Sequence, residues 1–279
     1  MADITVQITN QFITAIEDGL INVNWVRPWN SLAGVPHNPI TGKAYNGMNA
    51  LIMMLSGVNH AAGYGQWKTK GGQVRKGEKA IDILSPMIKK DSKGDTTLIG
   101  FRAVKVFAAS QVDGYDMPAT GTAFDSIAAA ENLLNGSGAV INYGGNSAHY
   151  VPSKDYIQLP ARSDFTGSEE FYSTALHELA HWTGHATRLD RSLNTSRFGD
   201  EAYAFEELVA ELTSAFLCAT TGIHQGYQEN HARYIKSWLK VLKNDSKAIM
   251  TAASQAQKAH DYIVKLASQE PLEGDSIAA

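Results

Sequence analysis

Thr174-Ala175-Leu176-His177-Glu178-Leu179-Ala180-His181-Trp182-Thr183-Gly184-His185 decides what the second half of this chain is built to do. It contains His-Glu-x-x-His. Side chains four residues apart lie one above the other on a helix, so His177 and His181 can reach a single metal ion. Glu178 then points where it takes a proton from a water on that metal, the outline of a hydrolytic zinc site. The flanking residues favour a helix. Ser168 can cap its N-terminus, Glu169 and Glu170 fall in the first turn where the helix dipole favours negative charge, and Gly184 supplies a stop.

Five residues are a weak motif, and a site needs a third ligand. Tyr203-Ala204-Phe205-Glu206-Glu207-Leu208-Val209-Ala210-Glu211-Leu212 lies downstream in a helical pattern ending near Gly222. Zinc hydrolases with two histidines on one helix take a glutamate from a following helix and keep a fourth position for water. Glu207 is the first choice, with Glu211 one turn later placed to orient a histidine through its ring N–H. Glu206 stays open as the alternative ligand, since one residue rotates the choice by about 100°. A solvated acidic face is the competing explanation. Leu208, Val209, Leu212, Phe216 and Leu217 weaken it, because a helix so broadly apolar is largely buried and buried carboxylates need partners. His185 stands four residues beyond His181, where the three-histidine pattern needs six, so it is read as a supporting or structural residue. His149, His224, His231 and His260 lack ligand spacing.

The 279 residues are 44% hydrophobic and 19% charged, enough for one large or two smaller domains. The N-terminal Met1-Ala2-Asp3-Ile4 starts no basic-then-apolar leader, and the strongly apolar run Ala50 to Leu55 is too short to span a bilayer. A soluble cytoplasmic protein with no membrane partner is expected. The lone Cys218 excludes an internal disulfide and reads as a buried small hydrophobe. Net charge is −4, but residues 1–150 hold 12 Lys+Arg against 11 Asp+Glu, and Trp67 to Lys105 alone holds ten basic residues against four acidic. A mildly acidic protein thus carries one basic stretch.

Along the chain, Ile8, Phe12, Ile13, Ile16 and Leu20 predict an amphipathic helix over residues 5–20, and a second helix is expected over 48–58. Strands are expected at 67–70, 80–84, 87–90 and 98–107, forming a small antiparallel sheet. The breaker-rich stretch 112–125 marks a boundary, giving domains 1–118 and 126–279. Beyond it the pattern predicts a helix over 126–134, strands at 139–143 and 156–159, the His-Glu-x-x-His helix, a helix over 202–221 and one long last helix over 231–266. The fold class is α+β in two domains.

Several motifs together resemble one family. Pro28-Trp29, Asn38 with Thr41-Gly42-Lys43-x-Tyr45-x-Gly47-x-Asn49, Trp67-x-Thr69, Gln73, Arg75-Lys76-Gly77-Glu78, and Val106-Phe107 followed by Gln111 look like the N-terminal domain of ArdC-type antirestriction proteins, also found in TraC-type primases. The second half is similar to the family's zincin-like metallopeptidase domain in Asp155-x-Ile157-x-Leu159-Pro160, Phe165, Tyr172, the His177 to His185 run, Arg188-Leu189-x-Arg191, Phe198-Gly199 and Glu206-Glu207-Leu208-x-Ala210-Glu211. The resemblance implies an N-terminal domain that binds single-stranded DNA and a protein that shields DNA entering a bacterium, by conjugation or phage infection, from restriction enzymes. It also implies a gluzincin-like site with His177, His181 and a glutamate of the second helix as ligands and Glu178 as general base.

Single-stranded DNA asks for basic groups along its phosphates and aromatic faces under its bases. Trp67 beside Lys68 and Lys70, then Arg75, Lys76 and Lys79, offer that mixture, with Tyr45 and Lys43 adding to it; Trp25, Trp29 and Phe101 are assigned to the core. A charged hairpin is otherwise an ordinary solvated face. At the metal site the expected ion is Zn²⁺, with Mn²⁺ as another option, and the expected reaction is peptide hydrolysis, a strand such as Tyr156-Ile157-Gln158-Leu159 lining the peptide. Restriction enzymes or another host protein are the candidate substrates. Two alternatives stand beside this one: a non-catalytic protein that coats DNA and holds its metal structurally, and a peptidase acting on a host regulatory protein.

Overall fold

The computed structural model describes residues 4–21, 34–90, 95–115, 126–191, 201–223 and 232–268 of the chain. Trp25, Trp29, Phe198-Gly199, His224, His231 and residues 116–125 of the expected boundary lie outside the described residues. The chain gathers into two compact units, one of residues 1–123 with 242–251, the other of 124–241 with 252–279. Residues 242–251 return to the first unit. Thr9 Oγ1 donates to Ser246 O at 2.6 Å and Lys243 Nζ meets Glu17 at 2.6 Å, which ties that segment to the first helix.

In the first unit, α1 (Ile4–Ile21) buries Ile8, Phe12 and Ile16, spaced four residues apart on one face. α2 (Gly47–Leu55) is buried on nearly all sides. β1 (Ala61–Ala62), α3 (Tyr64–Thr69), β2 (Gln73–Val74), β3 (Ile81–Lys90), β4 (Thr96–Ala108) and β5 (Val112–Asp113) follow. β4 pairs antiparallel with β1 on one side and β3 on the other, while β2 and β5 form a separate antiparallel pair.

Two expectations fail here. Residues 67–70 are not a strand: they end α3, whose Trp67 N–H bonds to Gly63 O at 3.1 Å. The strands expected at 80–84 and 87–90 are one strand, β3, running through Pro86. β3 lies at the edge of its sheet, where a residue with no N–H is tolerated. Its register with β4 shifts between Met87 and Ile88, and beyond that point the ribbon exposes Ile88, Leu98 and Ile99.

In the second unit, α4 (Ser126–Gly136), β6 (Val140–Tyr143), β7 (His149–Val151), β8 (Tyr156–Leu159), α5 (Ser168–Trp182), α6 (Glu201–Thr221), α7 (Ala232–Asn244) as far as residue 241 and α8 (Ala248–Ala267) from residue 252 follow in order. The sheet order is β6-β8-β7, with β6 parallel and β7 antiparallel to β8. Sequence reading missed β7, three residues long and placing His149 within a strand. The position of β8 overturns its expected role as a peptide-lining edge, because both of its sides are already paired. One core holds the unit together: Ile157 and Leu159 of β8, Leu176 and Leu179 of α5, Leu217 of α6 and Ile263 of α8. The single long last helix is also corrected. Lys247 N donates to Asp245 Oδ1 at 2.8 Å and Ala248 N to Asp245 O at 3.0 Å, a turn that separates α7 from α8.

Candidate metal centre and nucleic-acid face

α5 and α6 pack against each other and supply the donors. α5 begins after Gly167, not on a Ser168 cap; the Glu170 carboxylate reaches back to Thr166 N at 2.8 Å and ties down the entry. It ends at Thr183, with Gly184 N bonding to His181 O at 2.8 Å. Three of the expected site residues meet. His177 Nε2 and His181 Nε2 lie 3.2 Å apart, and the Glu207 carboxylate stands 3.6 Å from the first and 3.7 Å from the second. One donor atom from each residue falls within 4.8 Å of the others. Ligands about 2.0–2.1 Å from a tetrahedral ion are about 3.4 Å apart, so this donor set fits a divalent cation.

The two other α6 carboxylates stand behind the rings. Glu211 Oε2 is 3.5 Å from His177 Nδ1 and Glu206 Oε1 is 3.2 Å from His181 Nδ1. An Nδ1–H given to each carboxylate leaves each Nε2 lone pair facing inward. Glu206 therefore turns away from the position left open for it as a ligand. It also accepts from Arg191 Nε at 2.9 Å and Nη2 at 2.8 Å, and Arg191 in turn donates to Thr183 Oγ1 and Ala180 O at the end of α5. Arg188 donates to Trp182 O at 2.6 Å, stacks over the Trp182 ring and pairs with Asp155. The Arg-Leu-x-Arg motif is thus a C-terminal cap that secures the histidine helix. Arg191 was not singled out as a site residue; two arginines just past a helix end were the available signal.

Glu178, Glu206, Glu207 and Glu211 are all buried, and the guanidinium paired with them among the described residues is that of Arg191, on Glu206. That excess of buried negative charge is what a divalent cation offsets. Burial works to lower the His177 pKa, but hydrogen bonds to Glu207 and Glu211 outweigh it and raise the group to about 9. His181 is likewise raised against burial by Glu207 and Glu206. Burial pushes Glu207 up while His181 and His177 hold it well below the usual carboxylate range. His185 stays apart from this cluster, its Nδ1 2.8 Å from Thr187 Oγ1. Cys218 is fully buried.

The residues expected to touch DNA divide differently. Trp67 is 0% exposed. It anchors a small core with Ala62, Val74 and Val112, donates from Nε1 to Phe107 O at 3.0 Å and meets Tyr115 edge-on. As a helix residue it faces inward, so it has no face to offer a base, and that expectation is withdrawn. Tyr45 is half-buried, its hydroxyl donating to Ala61 O at 2.8 Å; burial pushes its pKa up to about 12. Arg75 is engaged internally by Glu78, Asp113 and Ser110 O. Gln111 completes the same network, donating to Glu78 and Lys79 O. Lys68, Lys70, Lys76 and Lys79 are exposed and form no ion pair among the described residues.

Comparison with known proteins places these features in context. Residues 2–112 match the N-terminal domain of anti-restriction factor ArdC, and residues 128–255 match a zincin-like metallopeptidase family. The chain is 39% identical over 271 residues to a DNA primase TraC of Escherichia coli, covering 86% of this chain but only 18% of the primase. It is 37% identical to the uncharacterized protein y4eC of Sinorhizobium fredii (strain NBRC 101917 / NGR234), covering 94% of this chain and 91% of that protein. Crystal structures of the antirestriction ArdC protein from plasmid R388 superpose at 34% identity. The metal-free form gives a TM-score of 0.77 over 95% of this chain and 98% of that one; the Mn(II)-bound form gives 0.80 over 96% and 100%.

Proposed function

The chain belongs to the ArdC antirestriction family, and from that premise we propose that it binds single-stranded DNA, protects incoming plasmid or phage DNA from host restriction enzymes and carries a working zinc-peptidase site. Lys68, Lys70, Lys76 and Lys79, exposed and without ion pairs among the described residues, support the DNA-binding half. The cytoplasm, where incoming DNA meets restriction enzymes, is its place of action; no described helix is long and apolar enough to cross a membrane.

At the second unit, His177, His181 and Glu207 are the residues that hold the cation, zinc in this reading and manganese as the alternative. When bound, it supplies a Lewis acid that makes water nucleophilic near neutral pH. Glu178 takes the proton of the attacking water and delivers it to the leaving amine. Glu211 and Glu206 hold the imidazoles in orientation, and Arg191 holds Glu206. β7, an edge strand of the sheet that packs against α5, offers backbone groups to an extended peptide.

One observation carries the catalytic reading: Glu178 is a buried carboxylate directly after His177, one of three converging donors, and a purely structural metal site does not need it. Replacing Glu178 with Gln is expected to preserve metal content and single-stranded DNA affinity while abolishing proteolysis of the substrate. If protection of incoming DNA in a restricting host survives that change undiminished, the protein protects by coating DNA and the peptidase site serves something else. Gel shifts with single- and double-stranded oligonucleotides over a range of salt check the other half; equal affinity for both forms would contradict it.

A further inference from the structure

With Trp67 in the core, the first unit needs another face on which a base can stack. Among its described residues, Tyr64 is the one exposed Phe, Tyr or Trp, at 47% exposure; Tyr45, Phe101, Phe107 and Tyr115 are half-buried and Phe12 is buried. A lone exposed tyrosine is ordinary on a protein surface. This one is held. Its hydroxyl accepts from Gln73 Nε2 at 3.2 Å and its ring packs edge-on against Phe107, centroids 6.3 Å apart. A ring fixed before any ligand arrives loses little freedom on binding.

The surroundings suit a polyanion. Lys68 follows Tyr64 by four residues on α3 and so lies over the same face, one turn along. Gln73, which holds the tyrosine, begins β2, and the turn after β2 carries Lys76. Arg75 in that turn pairs with both Glu78 and Asp113, which removes their repulsion from the path of a phosphate chain. The Gly71-Gly72 turn fixes the approach of β2 to α3. Gly71 has φ +83°, and a Cβ on Gly72 would stand 2.8 Å from Val112 Cγ1 of β5 and 3.3 Å from Trp67 O of α3, so a side chain there would have to displace its neighbours.

We infer that Tyr64 is a base-stacking platform for single-stranded nucleic acid, with Lys68 and Lys76 beside it on the phosphates. The inference rests on the single-stranded DNA reading above and names the residues that carry it. The test is fluorescence anisotropy of a labelled oligo-dT with the full-length protein, between about 50 and 200 mM salt. Y64F is expected to bind within about twofold of the parent, because the aromatic face is kept. Y64A and Y64L are expected to bind about tenfold more weakly with an unchanged dependence on salt, since stacking neutralises no phosphate. K68A is expected to weaken binding and to reduce the salt slope by about 0.7. Tyr64 variants that bind like the parent, or that change the salt slope as K68A does, overturn the stacking role and leave the DNA reading standing. A parent protein that binds no oligo-dT at all overturns both.

Discussion

α5 and α3 both carry residues that stand out in the sequence, and they treat them in opposite ways. On α5, His177 and His181 converge because a four-residue interval on a helix leaves little choice: the rings share a face whatever packs around them. On α3, the fate of Trp67 depends on which element the residue belongs to. A strand would put Trp67 and Thr69 on one face and Lys68 and Lys70 on the other. A helix instead turns Trp67 into the core and leaves Tyr64 and Lys68 outside. Geometry contained in a spacing is local and survives translation into structure; exposure is settled by distant partners, here Val74 and Val112 from β2 and β5.

The contrast is open to breakage at several points. The largest effect is expected within α3 itself. Trp67→Ala removes a fully buried indole and its hydrogen bond and is expected to cost about 3–5 kcal/mol of stability. Tyr64→Ala, three residues away, is expected to stay within about 0.5 kcal/mol. Urea denaturation of both variants decides it, and equal losses would mean that the two rings are not inside and outside.

A smaller effect sharpens the α5 side. Arg191→Met leaves the three donors in place but takes from Glu206 the partner that holds it at His181. Metal affinity, measured by competition with a chelating dye, is expected to fall about 10- to 100-fold, the usual consequence of losing a group behind a ligand. An unchanged affinity would reduce Arg191 to a helix cap alone.

The smallest effect concerns acid. The Asp155 carboxyl lies below the ordinary aspartate value, first because of its hydrogen bond to Arg188 and despite partial burial. A depressed folded pKa contributes stability that is present above the unfolded value and lost as pH falls through the folded one. Asp155→Asn is expected to make stability less steep in pH below about pH 4, without disturbing a turn that needs φ of 52° there. The side chain is more than one-third exposed, so solvent keeps the change small. Thermal melts between acid and neutral pH check the slope; an identical slope in both proteins would show the pair to be passive.

How much of this was legible beforehand follows the same division. The α+β class in two parts, the helices around residues 47–55, 126–136 and 201–221, and the convergence of His177 with His181 follow from periodicity and spacing, whereas Glu207 is a first choice of third donor with Glu206 left open. β7 escaped notice because three residues carry no alternation to read. The strands expected at 80–84 and 87–90 leave Pro86 between them, and only the sheet order shows that this proline lies within one edge strand. The split between α7 and α8 depended on Asp245 accepting locally from the backbone, a side-chain turn hidden in an otherwise helical pattern. Glu206 was weighed as a ligand and not as a support because its partner, Arg191, lies 15 residues before it, past the end of α5.

The most direct measurement is metal stoichiometry. Metal-stripped full-length protein is titrated with Zn²⁺ and with Mn²⁺ by calorimetry, as the parent, as Glu178→Gln and as Glu207→Ala. One ion per chain is expected for the parent and for Glu178→Gln, and binding is expected to collapse in Glu207→Ala, because Glu207 faces both Nε2 atoms while Glu206 and Glu211 face the Nδ1 atoms. Full stoichiometry and affinity in Glu207→Ala would contradict the ligand set and return the choice to Glu206 or Glu211.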